Sequence, residues 1–222
     1  MHIELSEEQL MIQEAVRDFA REAVLPIADE CDKNSRFPSE LMGMLGELGA
    51  MGVSVPEKWG GHGLDHVTYV LIIEELSAAC ASVGVTASVN NSLVCDPLSH
   101  FGTDEQKKRF LIPLAKGEQI GCFALSEPGT GSDAANQQAT CVREGDDWIL
   151  NGTKNFITNG PIADVIIVFA MNDRSLGTRG ICAFVLPMNT PGVSCGAKEH
   201  KLGIKGSPCS SVIFDEVRVG ED

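Results

Sequence analysis

The stretch Thr103-Asp104-Glu105-Gln106-Lys107-Lys108-Arg109-Phe110-Leu111-Ile112-Pro113-Leu114-Ala115-Lys116-Gly117-Glu118-Gln119-Ile120-Gly121-Cys122-Phe123-Ala124-Leu125 changes its hydrophobic period part-way along. Its first part predicts a helix. Thr103 to Gln106 is a capping box, in which a hydroxyl and an amide side chain satisfy N–H groups that the first helical turn leaves free, and Phe110, Leu111 and Leu114 share one face. Gly117 supplies the stop. From Ile120 onward the signal is strand: runs rich in Val, Ile, Phe and Thr at about 120–125, 137–143, 148–157, 164–170, 180–186 and 210–219, divided by Gly, Pro, Asn and Asp turns. Glu144-Gly145-Asp146-Asp147 reads as a hairpin connection, and Asn151-Gly152 as a tight turn or a bulge.

Working back toward the N-terminus, every signal is helical. Ser6-Glu7-Glu8-Gln9 is a second capping box, followed by the stripe Leu10, Ile12, Ala15, Val16, Phe19, Ala20, Ala23 and Val24, which Pro26 is expected to end or kink. Another helix is expected from Pro38 through Leu41, Leu45 and Leu48. After the breaker-rich segment Gly49–Gly63, a long apolar helical segment starts at Asp65 and runs into an Ala/Ser/Val-rich stretch that ends at Val94. Helices first and strands second predict two domains, divided near residue 117, in place of an interleaved βαβ sheet.

Composition narrows the function classes. The chain has 222 residues, 43% of them apolar and 5% aromatic, so aliphatic and small residues must build the core. A chain of this size buries roughly 70% of its unfolded surface. The formal net charge of −14, with no stretch that interleaves Lys or Arg with aromatics, argues against a nucleic-acid partner. No 18-residue window is free of charged or strongly polar residues, and the start His2-Ile3-Glu4-Leu5 lacks a secretory pattern, so a soluble intracellular protein is expected, with no membrane partner. Eight cysteines stand singly, without a CxxC pair or zinc-site spacing, and predict free, mostly buried thiols and no metal.

Three segments could carry chemistry. Phe123-Ala124-Leu125-Ser126-Glu127-Pro128-Gly129-Thr130-Gly131-Ser132-Asp133 is neither GxGxxG nor a P-loop; by itself it is an ordinary Pro-Gly turn or a loop presenting backbone N–H groups to a phosphate or a ring edge. Lys154-Asn155-Phe156-Ile157-Thr158-Asn159-Gly160 ends a strand with a flat ring beside a hydroxyl, either core packing or a stack for a planar heterocycle. Lys201-Leu202-Gly203-Ile204-Lys205-Gly206-Ser207 is a solvated basic turn or an anion contact. Adjacent carboxylates such as Glu74-Glu75 do not face each other as an acid/base pair, and His62, His66 and His100 lack ligand spacing. Neither Ser126 nor Ser132 sits in a nucleophile elbow.

In this order and spacing these segments, with Asn90-Asn91-Ser92, Phe101-Gly102-Thr103-Asp104-Glu105-Gln106-Lys107 and Phe214-Asp215-Glu216-Val217-Arg218-Val219, resemble the acyl-CoA dehydrogenase family, most closely its short-chain, butyryl-CoA-type members. The resemblance implies an α+β multidomain fold: an all-α domain over 1–117, then an antiparallel β-barrel or sandwich over 118–222 that binds flavin, with a C-terminal helical bundle expected beyond residue 222. It implies FAD as cofactor. Phe123, Leu125, Ser126, Gly131, Ser132, Phe156, Ile157 and Thr158 are the implied cofactor residues. Leu125 and Ser126 would bond the pyrimidine edge of the ring, and Ser132 would meet the pyrophosphate and the bound thioester. Phe156, where many members have Trp, would cover one ring face, while Thr158 would donate toward N5. The Tyr69–Leu76 helix and Asn90-Asn91 would help line the acyl side.

The implied reaction is α,β-dehydrogenation of a short-chain acyl-CoA to trans-2-enoyl-CoA, with electrons passed to an electron-transfer flavoprotein. Its base, a Glu, is expected beyond Asp222, so no catalytic residue is named within the chain, and the isolated chain is expected to bind FAD weakly and to be inactive. The full-length protein is expected to form a tetramer, in a bacterial cytoplasm or a mitochondrial matrix. An acyl-CoA oxidase-like relative and a non-catalytic flavin- or thioester-binding fragment are the alternatives.

Overall fold

The computed structural model describes residues 4–220; the sequence start Met1–Ile3 and the end Glu221–Asp222 lie outside the described residues. The chain divides into two compact units, one reaching Glu118 and including His200–Ser207, the other Gln119–Glu199 together with the segment from Pro208 onward. The return of 200–207 to the helical unit is not visible as a sequence pattern.

The helical unit begins with α1, Glu7–Phe19, whose capping box is complete: Gln9 N–H donates to Ser6 Oγ at 3.1 Å and Ser6 N–H to Gln9 Oε1 at 3.0 Å. Helical backbone continues past Pro26, which therefore does not end the helical run. A π-helical turn over Ala20–Val24 leads directly into α2, Leu25–Asn34, with Pro26 in its first turn, and the helix stops only at Ser35, whose φ is 51°. Proline lacks an N–H and its ring crowds the carbonyl four residues back. The wider turn preceding it supplies the room. The same device recurs where π-helical turns over Val89–Cys95 and Lys107–Leu111 precede Pro97 and Pro113.

Beyond α3 (Glu40–Glu47) come α4 (His66–Ala79) and α5 (Ala81–Ser88), separated at Cys80, which is extended at φ −155°. Asp65 caps α4 by accepting from Thr68 N–H at 2.7 Å. Arg17 on α1 grips Glu75 on α4 through two hydrogen bonds of 3.0 and 2.6 Å. Three short helices, α6 (Asp96–Phe101), α7 (Asp104–Gln106) and α8 (Ile112–Ala115), complete the unit, and Gly117, at φ 67°, ends the last of them. Val16, Leu45, Met51, Ile72, Leu76, Leu111 and Leu114 form its water-free interior.

The second unit is one mostly antiparallel sheet of seven strands: β1 (Gly121–Ala124), β2 (Thr140–Glu144), β3 (Asp147–Thr158), β4 (Val165–Met171), β5 (Ile181–Pro187), β6 (Val193–Lys198) and β7 (Cys209–Val219). Its order is β1-β4-β2-β3-β7-β6, with β5 paired to β4. Two pairings are parallel, β1 and β2 each against β4. The Glu144–Asp147 hairpin forms with Gly145 at φ 65°; opposite Asn151 the extra residue lies on β7, between Phe214 and Val217, where Glu216 has φ 51°, so the irregularity expected at Asn151-Gly152 is carried by the partner strand. β6, with most of its side chains exposed, has no counterpart among the strand runs read from the sequence; among the described residues it pairs with β7. Cys122, Cys141, Leu150, Ile157, Ile166, Val168, Val212 and Phe214 fill the core of the sheet.

Candidate functional site

The site is best built outward from Lys154. Residues 150, 152 and 154 of β3 share one face by the period-two rule, and Leu150 on that face is buried, so Lys154 is directed inward: its side chain is 0% exposed. Lysine is almost never buried unless paired. Here its three ammonium protons have three acceptors: Glu127 Oε1 at 2.8 Å, Gln137 Oε1 at 2.8 Å and the carbonyl oxygen of Leu125 at 3.0 Å. Glu127, itself 3% exposed, also accepts from the backbone N–H groups of Gln138 and Ala139. One ion pair therefore closes the base of the loop that follows β1. Burial pushes the Glu127 carboxyl up, but the Lys154 ammonium and the two amides outweigh it and hold Glu127 below the ordinary carboxylate value. Burial pulls Lys154 below its usual value against the opposing effect of Glu127.

The next residue extends the same clamp, since Asn155 N–H donates to the carbonyl of Ser126 at 2.8 Å. Both carbonyls of the Leu125-Ser126 segment are thus engaged by the end of β3. No hydrogen bond among the described residues uses the Leu125 or Ser126 N–H, so both donors remain available. Beside them β3 bulges: Lys154 pairs with Val212 and Ile157 with Ser210, which leaves one extra residue on β3. The bulge places Phe156 at φ 57°, a left-handed conformation that is a true outlier for a bulky side chain, and leaves its ring 65% exposed. Thr158 follows, half-buried and paired with Cys209.

The sequence-predicted residues thus separate into groups. Leu125 and Ser126 are held by Lys154 and Asn155, with Phe156 the next residue along β3 and Thr158 two residues beyond it. Gly131 and Ser132 are exposed in the loop beyond Ser126, where a Cβ at Gly129 or Gly131 would meet nothing within 4 Å. Phe123 packs its ring on Phe169 of β4, with centroids 5.1 Å apart. Ile157 belongs to the sheet core, so only its backbone can face a ligand. In the helical unit Asn91 is engaged on the backbone, accepting from Val53 N–H and donating to Ala50 and Ala87 carbonyls, and Asn90 donates to Met51 and Leu114 carbonyls. Asn91, Tyr69 and His66 border a pocket of about 60 Å³, far below the roughly 300–1,000 Å³ of ordinary small-molecule sites.

The basic turn at 201–207 is closed on itself. Lys201 Nζ donates to the carbonyls of Ile204 and Ser207, each at 2.7 Å, and Lys205 N–H donates to Asp32. All eight cysteines are free thiols, and among the described residues no three His, Cys, Asp or Glu side chains converge as metal ligands. Nor is any described helix long and apolar enough to cross a membrane.

Two unused backbone donors on a pinned loop, an exposed ring held by a bulge, and an open glycine-bearing loop suit a flat heterocycle with a polar edge and an anionic tail. Residues 6–118 match the acyl-CoA dehydrogenase N-terminal domain and residues 122–217 the acyl-CoA dehydrogenase middle domain. The chain belongs to the acyl-CoA dehydrogenase family. This family uses FAD, and the donor set around Leu125, Ser126 and Phe156 fits that cofactor.

Short-chain specific acyl-CoA dehydrogenase, mitochondrial, of Bos taurus is 48% identical over 220 residues, which cover 99% of this chain and 53% of that protein. The solved butyryl-CoA dehydrogenase of Megasphaera elsdenii superposes with a TM-score of 0.93 at 40% identity, covering 99% of this chain and 58% of that one. A chain from the structural study of the electron transferring flavoprotein of Acidaminococcus fermentans superposes with a TM-score of 0.96 at 43% identity, covering 100% and 58%. The chain spans about half the length of the curated relatives it matches.

The Lys154–Glu127–Gln137 cluster has no role in the sequence reading. Residues 148–150 are apolar and 151–155 polar or glycine, so no alternation marks Lys154 as inward-facing, and its acceptors 27 and 17 residues away appear only once the register is known.

Proposed function

We propose that this chain carries the flavin-holding part of a short-chain acyl-CoA dehydrogenase, acting in the whole protein on a short-chain acyl-CoA and passing electrons to an electron-transfer flavoprotein. The observation that supports it most is the pair of unused N–H groups at Leu125 and Ser126, with both carbonyls of that segment fixed from β3. When bound, FAD supplies the two-electron acceptor for α,β-dehydrogenation of the thioester. Leu125 and Ser126 donate to the pyrimidine edge of the ring. Phe156 covers one ring face and excludes water from it, and the Thr158 hydroxyl donates toward N5. Ser132, in the open loop, meets the pyrophosphate and the thioester, with Gly131 allowing close backbone approach. Phe123 and Ile157 act from beneath, by packing. The base that takes the α-proton is a Glu in the part of the relatives that this chain does not span, and that part also completes a homo-tetramer.

Titration of the purified chain with FAD, followed by flavin fluorescence and visible absorbance, tests this reading. Weak saturable binding of one flavin per chain is expected, tightened when the remaining C-terminal part of a relative is added, at which point butyryl-CoA bleaches the flavin. The absence of saturable binding with that part present overturns it.

A further inference from the structure

A peptide unit is planar, and the trans form sends its C=O and N–H in opposite directions. No described peptide bond is cis. The carbonyl of Leu125 and the N–H of Ser126 belong to one such unit. A group that fixes that carbonyl therefore also fixes the direction of the Ser126 N–H. That group is the buried Lys154 ammonium, 3.0 Å from Leu125 O. The neighbouring unit does not serve the same purpose, because Ser126 O accepts from Asn155 N–H while Glu127 N–H is already donated to Thr130 O at 2.9 Å. We propose that Lys154 is a positioning residue for the cofactor: it aims and polarises the Ser126 N–H by gripping the opposite end of the same peptide. The inference rests on the flavin reading above.

Two further features support it. A charge-assisted bond to a carbonyl in a dry interior draws electron density from the amide and strengthens its N–H as a donor. The cluster also holds a buried atom that packing alone does not justify, since Gln137 turns its oxygen to Lys154 and leaves Nε2 buried without a partner in the structure. Glu127 and Gln137 brace the ammonium, and Leu125 O is the acceptor through which it acts on the site.

The test compares three forms of the 222-residue chain, Lys154→Met/Glu127→Gln, Lys154→Met alone and Glu127→Gln alone, with the unsubstituted protein. The double form removes both charges together, which avoids a buried charge without its partner and preserves folding even where Lys154→Met alone fails. FAD affinity is read by fluorescence, and the Ser126 amide by ¹H–¹⁵N NMR. The forms lacking Lys154 are expected to bind FAD about 10-fold or more weakly, with the Ser126 resonance no longer moving on FAD addition. Glu127→Gln keeps Lys154 on Leu125 O and is expected to lose thermal stability but no more than about threefold in affinity. A folded double form with unchanged affinity and an unchanged Ser126 response overturns the proposal, as does a Glu127→Gln form that loses as much affinity as the double. If the unsubstituted chain alone binds no FAD, the affinities are compared with the C-terminal part of a relative added, and the flavin reading fails if no saturable binding appears there either. The Ser126 resonance of the free proteins then decides the role of Lys154, which is upheld if that resonance moves on loss of the lysine and refuted if it does not.

Discussion

Phe156 combines two properties that pull stability in opposite directions, and replacing it by Ala or by Gly separates them. Its left-handed φ of 57° costs about 1–2 kcal/mol for any residue with a Cβ. The ring is 65% exposed, so only about a third of its surface is covered. For an aromatic side chain of roughly 200 Å², that is about 70 Å² hidden and about 1.7 kcal/mol of packing. Ala loses the packing and keeps the strain, and is expected about 1–2 kcal/mol below the unsubstituted chain. Gly loses the packing and relieves the strain. After its larger unfolded-chain entropy of about 0.5–1 kcal/mol is counted, it still stands about 0.5–1 kcal/mol above Ala, the reverse of the usual order in a strand. Urea denaturation with matched slopes measures the order. Both variants should weaken FAD binding about 10-fold, as the loss of one stacked face predicts. Ala more stable than Gly refutes the strained bulge, and unchanged FAD affinity in both refutes a flavin-facing ring.

Other expectations follow from single contacts. Gly152→Ala is expected to destabilise the sheet by about 2 kcal/mol or more, because its φ is 146° and a Cβ there would meet Ala139 Cβ at 2.6 Å; thermal denaturation reads the loss. Asn91→Leu removes one accepted and two donated hydrogen bonds and leaves Val53 N–H, Ala50 O and Ala87 O without their partner, at a cost of about 2–4 kcal/mol in chemical denaturation. Glu127 has a folded-state pKa held below its ordinary 4.5, so its stabilisation is complete above that value and is lost as pH falls through the lower folded value. An acid titration of stability should therefore be shallower for Glu127→Gln below pH 4.5 than for the unsubstituted chain.

The two-part architecture was legible because its signals are local. Capping boxes at Ser6 and Thr103 and the stop at Gly117 declare helix ends within a few residues, and Gly145 declares a hairpin, whereas the bulge read at Asn151-Gly152 falls on the partner strand at Glu216. Pro26 does not end the helical run for a physical reason: a proline removes one hydrogen bond locally, and whether helical backbone continues depends on whether the turn before it can widen, which no propensity records. Strand β6 was hidden because its alternation, Val193, Cys195 and Ala197 against Ser194, Gly196 and Lys198, rests on one β-branched residue among small side chains of little strand preference. At the site, Leu125, Ser126, Phe156 and Thr158 were visible as segments of matching family pattern. The clamp that holds the Leu125-Ser126 segment was not, because Lys154, Glu127 and Gln137 meet through the register of β3 against a loop, and the exposure of Phe156 arises from a one-residue shift between β3 and β7.

A flavin bound at this site would touch the chain at the Leu125-Ser126 segment and the end of β3. Mapping amide perturbations on addition of FAD to the isotopically labelled chain tests that directly. The largest shifts should fall on Leu125, Ser126, Phe156 and Thr158, with smaller ones at Gly131 and Ser132. Saturable perturbations confined elsewhere, such as to the self-closed turn at 201–207, would contradict it.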